Sequence, residues 1–311
     1  MSSDWPTAVL ADLCDSIDYG YTASAVADSS VGPKFLRITD IRKDGLRWDT
    51  VPHVEIDPRN LEKYQLNPGD IVVARTGAFT GSNAYVEPSV SAVFASYLVR
   101  LRTGPRLLSR FAYYFMQSQA YRDHVASVVG GSAQPNASAK ALTQVEMPIP
   151  PLGDQRWIAN TLGMLDDKIA LNRRMGETLE QLARNHFHQV LDASGDRAPY
   201  RPLGDILAVI ETGRRPKGGI KGITAGIPSV GAESITRIGE FDYSKTRYVP
   251  DDYFKSMSRG VVEDFDVLLY KDGGKPGVYE PHVSQFGLGF PFDDFCINEH
   301  VYRLRVFPPY T

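Results

Sequence analysis

The chain has 311 residues, of which 42% are hydrophobic and 23% charged, with a formal net charge of −3. That is length for two ordinary domains, and a composition that excludes a disordered chain. No run of 18 apolar residues occurs, so no membrane-spanning helix is predicted, and the opening MSSDWPTAVLADL lacks the basic and apolar stretches of a secretory leader.

From the start to residue 147 the pattern is one of short strands and turns. GDIVVART (Gly69 to Thr76) carries a buried apolar run, and SYLVRLR (Ser96 to Arg102) is its expected neighbour. Turn signals, NPGD and VEPS, separate them. One amphipathic helix is expected over LLSRFAYYFMQSQAYRDHVAS, with Leu108, Phe111, Phe115 and Tyr121 near helical spacing. The first block is therefore α+β and not a doubly wound sheet. Cys14 lies here and Cys296 far away, and the pair reads as two reduced thiols of a cytoplasmic protein.

Residues 148–194 differ. Pro148, Pro150 and Pro151 mark the approach to a helix. Asp154 is the expected cap, and the helix runs to about Leu191. Ile158, Leu162, Leu165 and Ile169 recur in steps of four, three and four, with Asn172, Met175, Leu179, Leu182 and His186 following. This is a coiled-coil rhythm, in which a polar seam residue such as Asn172 fixes register. A rod of some 35 residues would be about 50 Å long. Gly195 in DASGD is a reasonable stop.

Residues 195–311 read as strands and turns again, and they repeat the first block. ITDIRKDGLRWDTVPHVEIDP lies beside AESITRIGEFDYSKTRYVPDD, pairing Ile41 with Ile235 and Gly45 with Gly239. NPGDIVVARTGAFTG lies on EDFDVLLYKDGGKPG, pairing Asp70 with Asp266, Gly77 with Gly273 and Gly81 with Gly277. SYLVRLR matches EHVYRLR, and AVLADLCDSIDYGYT resembles RPLGDILAVIETGRR. Chance could give one such match, but not four in order at a nearly constant separation. The expected plan is two repeated α+β domains joined by a long coiled-coil-like helix, the second copy being incomplete.

No motif points to catalysis. GGIKGITAG and GGKPG lack the Lys-Ser/Thr ending of a phosphate loop. His53, His124, His186, His188, His282 and His300 form neither HExxH nor a Cys/His spacing that would hold zinc. No Gly-x-Ser-x-Gly elbow occurs. The tail VFPPYT has the Pro-Pro-Tyr of adenine-N6 methyltransferases, but Phe307 stands where an Asn or Asp would bind the amino group.

Binding remains. The bulk charge does not mark a DNA-binding protein, but phosphate contacts depend on local patches. KFLRITDIRKDGLRW, RLRTGPRLLSR and RRPKGGIKG are such runs, although any one of them alone also reads as a solvated face. Each repeat carries a Gly-rich loop beside a strand end, where glycines permit close backbone approach. ARTGAFTGSNAY offers Arg75, Thr76 and Asn83; YKDGGKPGVY offers Lys271 and Lys275. GGSAQPNASAK adds Gln134, Asn136 and Lys140; ETGRRPKGG adds Arg214, Arg215 and Lys217; DIRKDG adds Arg42 and Lys43. Arg can read guanine bidentately, and Asn or Gln adenine. Two similar heads on a rigid spacer suit bipartite recognition of a duplex.

The stretch IPPLGDQRWIANTLGMLDDKIALNRRMGETLEQLARNHF resembles the central conserved region of type I restriction–modification specificity subunits. In that family a PLPEQ-like entry leads into IA..L..LDDKIELN...N.TLE.MA...F. Gly153 and Asp154 replace the Pro-Glu of the entry. GGSAQPNAS resembles the segment that closes each target recognition domain. The resemblance implies a first target recognition domain over 1–147, a spacer helix over 148–194, and a second recognition domain over 195–311 that lacks its end and a second helix. It implies that each domain reads one half of a split, asymmetric DNA site and that the chain is not itself an enzyme. It also implies that the helix docks adenine-N6 methyltransferase subunits, with a restriction and translocase subunit completing the complex. S-adenosylmethionine, ATP and Mg²⁺ would then be used by those partners and no cofactor by this chain. The seam Ile158, Leu162, Leu165, Ile169, Asn172, Leu179 and Leu182 is expected to pair with a partner helix, from the methyltransferase or from a second copy. The alternative is a scaffold that holds methyltransferase without reading DNA.

Overall fold

In a computed structural model the chain is described over residues 5–308, apart from 43–44, 47, 88–90, 130–135, 196–200, 238–239, 273, 276–277, 280–281, 286 and 288–291. It divides into two compact units, Met1–His186 and Phe187–Thr311.

The first unit is built on a four-stranded antiparallel sheet in the order Cys14–Tyr19, Leu98–Thr103, Ile71–Ala74, Asn83–Tyr85. The expected neighbours do pair, with Ile71 opposite Leu101 and Ala74 opposite Leu98. All four residues of Ile71–Ala74 are buried because both faces of this strand are covered. Ile71 and Val73 pack with Leu10, Phe111, Met116, Tyr121, Leu142 and Met147. Val72 and Ala74 pack on the opposite side with Leu36, Leu66 and Phe94. Leu36 and Phe94 belong to a parallel pair, Lys34–Leu36 with Ala92–Phe94. Thr7–Val9 pairs with Glu146–Pro148 and closes the unit.

One expected helix is two. Ser109–Met116 and Gln119–Val129 are separated at Gln117 and Ser118. The Gln117 backbone N–H still donates to Tyr113 O at 3.1 Å and its side-chain Nε2 to Asn83 Oδ1 at 2.8 Å, while Ser118 Oγ accepts from Tyr121 N at 3.4 Å, capping the second helix.

The second unit repeats this plan. Its four-stranded sheet runs Leu207–Thr212, Val301–Val306, Val267–Tyr270, Val283–Gln285, the same order. A parallel pair recurs as Ile227–Val230 with Cys296–Ile297, and the hairpin Ile41–Arg42/Gly45–Leu46 recurs as Ile235–Arg237/Glu240–Phe241. Even the register shift is shared, between Cys14 and Ser16 in one unit and Leu207 and Val209 in the other. Gly20 and Gly213 hold the same place. A Cβ on Gly20 would stand 2.2 Å from Ala95 O, and one on Gly213 1.5 Å from Ile297 O, so only glycine lets the chain pass. The outer sheet face differs. Ile17 packs on the core of the first unit, whereas its counterpart Ile210 is 65% exposed.

Both sheets enclose the same ion-pair cluster, encoded by the repeated RLR and the repeated aspartate. In the first unit Arg100, 3% exposed, meets Asp18 at 2.8 Å, and Arg102 meets Asp70 at 2.9 Å. In the second, Arg303 bonds Asp266 and meets Glu211 at 2.8 Å, while Arg305 meets Asp266 at 2.8 Å. Buried charges of this kind are tolerated only when paired.

The long helix spans Leu152–Ser194, 43 residues and so about 65 Å, longer than the rhythm alone predicts. It starts directly after Pro151, which places Asp154 in its first turn, where a carboxylate favours the helix dipole, and not at its cap. Gly195 ends it with φ +47°. Cys14 and Cys296 are free, and burial pushes both thiols up to about 11.

Candidate nucleic-acid interface

The central strand Ile71–Ala74 delivers Arg75 at its end, where the pairing stops and the side chain turns outward. The Arg75 N–H donates to Tyr97 O at 3.0 Å, and Arg75 O accepts from Ala137 N at 2.9 Å. Thr76 bridges to Asn136. Residues far apart in sequence are thus gathered at one edge of the sheet. The Arg75 guanidinium lies over the Tyr19 ring at 5.0 Å, a contact worth about 0.5–1 kcal/mol at an exposed site. One side of its fork is engaged: Nη2 donates to Asn136 Oδ1 at 3.2 Å and Nε to Ala137 O at 3.4 Å. The Tyr19 hydroxyl is itself held, accepting from Ala139 N at 3.0 Å. Stacked on one face and anchored along one edge, the guanidinium keeps the Nη1 side for a bidentate acceptor, the geometry that reads guanine O6 and N7.

Tyr19, Tyr97 and Phe79 are 46%, 58% and 45% exposed and belong to this edge or to the loop leading from it. Sequence reasoning missed them. The signal was an aromatic residue set at a strand end, in DYGY and FASYL, where no core position calls for one.

The other predicted residues divide. Asn83 is a correction. It is buried, donating to Met116 O at 3.0 Å and Gly81 O at 3.1 Å, so it braces the helix 109–116 and cannot face a ligand. Gln134 and Lys43 lie outside the described residues, and Arg42 and Lys275 are described only as hairpin backbone. Arg214 and Lys217 are exposed. Arg215 is engaged by Glu299 at 3.0 Å, and Lys271 lies 5.6 Å over the Tyr302 ring. The corresponding edge of the second unit is thus not simply basic.

The long helix presents distinct faces. Gln155, Ala159 and Gly163, at helical spacing, are its buried residues and lie against the rest of the first unit. The Gln155 amide is fully buried: Oε1 accepts from Leu108 N at 2.9 Å, and Nε2 donates to Arg106 O at 3.0 Å and Pro150 O at 2.9 Å. Arg110 sits on Gly163, and Tyr114 donates to Asp166 Oδ2 at 2.7 Å; burial, then Asp166, raises the Tyr114 phenol. Ile158, expected in the seam, packs partly on the first unit's core, because the first three turns are laid against it. Beyond it the predicted seam is open: Leu165, Ile169, Leu179 and Leu182 are between 49% and 58% exposed, Leu162 is 36% exposed, and Asn172 is exposed. A second apolar row, Trp157, Met164 and Leu171 at heptad spacing, is 57–69% exposed and was not singled out from the pattern. So continuous an apolar surface marks a contact site.

Known proteins give a consistent comparison. The model of the type I restriction modification DNA specificity domain matches residues 2–181, more than half of the chain. The EcoKI type I restriction enzyme specificity subunit of Escherichia coli K12 is 23% identical over 248 residues, 73% of this chain and 52% of that protein. The MjaVIII specificity subunit of Methanocaldococcus jannaschii is 23% identical over 198 residues, 60% of this chain and 45% of that protein. The chain thus spans about half the length of these curated relatives. The type I restriction–modification S subunit of M. genitalium shares the fold, with a TM-score of 0.55 at 13% identity, covering all of this chain and 74% of that one.

Proposed function

Because the chain belongs to the type I restriction–modification DNA specificity family, we propose that it is a non-catalytic DNA-reading subunit, each unit recognising one half of a split duplex site. The observation that carries this reading is the Arg75 edge, a pre-oriented guanidinium at the end of a buried strand, repeated in topology in the second unit. Exposed arginine and lysine at Arg214 and Lys217 would supply the sequence-independent phosphate contacts.

The open helix would dock adenine-N6 methyltransferase subunits, and through them a restriction and translocase subunit, or pair with a second copy of the chain. S-adenosylmethionine, ATP and Mg²⁺ would be bound by those partners in the cytoplasm. Among the described residues no helix is long and apolar enough to cross a membrane.

The test is a methylome. The chain is co-expressed with its adenine methyltransferase in a host without methylation, and N6-methyladenine is mapped. A split asymmetric motif is expected. A split palindrome would mean that two chains pair and one unit reads; no specific methylation would overturn the reading in favour of a scaffold.

The seam has its own test. Leu165 is 54% exposed and outside the cores, so Leu165→Asp should leave the melting temperature of the first unit unchanged while abolishing assembly in light scattering with methyltransferase. Unchanged assembly would remove the seam from the interface.

A further inference from the structure

In the second unit Lys271 and Asp272 occupy the place of Arg75 and Thr76. The backbone is the same: Lys271 N donates to His300 O at 3.2 Å, as Arg75 N does to Tyr97 O. The first position stays basic, but the second changes from the neutral Thr76 to the acidic Asp272. His300 pairs through Nδ1 with Asp272 Oδ2 at 2.5 Å and through Nε2 with Glu299 Oε1 at 3.4 Å. Glu299 Oε1 also forms an ion pair with Arg215 Nε at 3.0 Å. These residues border an open cavity of about 600 Å³ whose lining includes Arg215, Glu233, Asp272 and His300.

The chain of pairs has a direction. Arg215 and His300 consume Glu299 Oε1, and Glu299 Oε2 is buried without a hydrogen-bond partner among the described residues. Asp272 is 46% exposed, and among the described residues its hydrogen bond is made through Oδ2, to His300. The Asp272 carboxylate thus lines the cavity with one oxygen tied to His300. Among the described residues no group of three His, Cys, Asp or Glu side chains is placed to hold a metal ion. Phosphates repel a carboxylate, so at a DNA-facing edge its useful partners are the exocyclic amino groups in the major groove, cytosine N4 and adenine N6. Arg215 and Lys271 beside it offset the local negative charge.

We propose that this cavity is the base-reading site of the second unit and that Asp272 accepts from an amino group there, where Arg75 in the first unit donates to a guanine. The inference rests on the DNA-reading function proposed above. Its ligand class is a duplex half-site with an amino-bearing base edge at one required position.

The test removes the amino group and not the base pair. The chain in complex with its methyltransferase is titrated with duplexes of its methylome motif. In these, each adenine of the second half-site in turn is replaced by nebularine, and each cytosine by its 4-deoxy analogue. Wild type is expected to lose about tenfold to a hundredfold in affinity at one position. Asp272→Ala, at an exposed site and checked by unchanged thermal melting, is expected to be indifferent to the analogue there, whereas Asp272→Asn, which keeps an acceptor oxygen, is expected to retain part of the loss. Both variants should keep full discrimination in the first half-site. If Asp272→Ala shows the wild-type loss, or if wild type shows none while still reading the motif, the inference is overturned and DNA reading stands. If wild type prefers no sequence at all, the reading itself fails and takes the inference with it.

Discussion

Asp70→Ala is expected to lower the stability of the first unit by about 3 kcal/mol, read as a fall in the urea midpoint. Asp70 is 3% exposed and lies between two arginines. Its carboxylate accepts from Arg102 Nε at 2.9 Å and from the backbone N–H of Asn67 at 2.9 Å, and it faces Arg100 Nε at 4.0 Å. Removing one partner of a buried pair costs about 3–5 kcal/mol because the remaining charge is stranded. The lower end applies here, since Arg100 keeps Asp18 at 2.8 Å and the Gln65 carbonyl at 2.8 Å. Asp70→Asn, which can still accept from Asn67, should cost less. A loss below about 1 kcal/mol for alanine would place this network among surface pairs.

The same network sets an acid limit. Burial alone would raise the Asp18 carboxyl, but bonds from Arg100 and Ser16 outweigh it and hold it below the usual range. Bonds from Arg305 do the same for Glu263 in the second unit, against burial. A carboxyl depressed in the folded state adds stability above its unfolded value and loses it as pH falls through the folded value. Both units should therefore weaken progressively below about pH 4, and an Asp18→Asn variant should converge on wild type there. A constant difference between the two from pH 7 to pH 2 would disconnect Asp18 from the effect.

Much of this was legible in the letters. The duplication could be read because Asp70 with RLR and Asp266 with RLR are core demands, and a buried ion pair leaves little freedom at either partner. The strand Ile71–Ala74 could be read because it is covered on both faces and so forms an unbroken apolar run. What escaped depended on who sits opposite. Asn83 and Arg75 fall in one polar loop of the sequence, yet one points to Met116 O and the other to solvent, a difference fixed by the helix 109–116 and not by spacing. At the break the Gln117 side chain bonds that same Asn83, a partner that helical spacing does not show. Ile158 keeps the heptad rhythm but is claimed by the first unit, because periodicity tells which residues share a face and not what lies against it. The acidic turn at Asp272 and Glu299 was hidden for a related reason. The two are separated in sequence by a hairpin and two strands, and the fold brings both to His300.

Arg75→Ala is the sharpest test of where specificity resides. The arginine is stacked on Tyr19, tied to Asn136 and Ala137, and fixed at its backbone to Tyr97, so its orientation is set before any ligand arrives. Preorganisation of this kind adds little to a phosphate contact, which tolerates many geometries, and much to a bidentate base contact, which tolerates few. The variant should lose about 1–3 kcal/mol on the cognate site, tolerate substitution at one base pair of the first half-site, and bind non-cognate duplex as before. Arg75→Lys should behave like alanine at that base pair, because an ammonium keeps the charge but loses the fork. The salt dependence separates the alternatives. A base contact leaves the slope of log affinity against log salt unchanged, whereas loss of a phosphate contact reduces it by about one and weakens every sequence alike. An equal loss on all sequences with a shallower slope would reassign Arg75 to the backbone and move the reading of the first half-site to the exposed ring of Tyr97, the neighbour to which Arg75 is bonded.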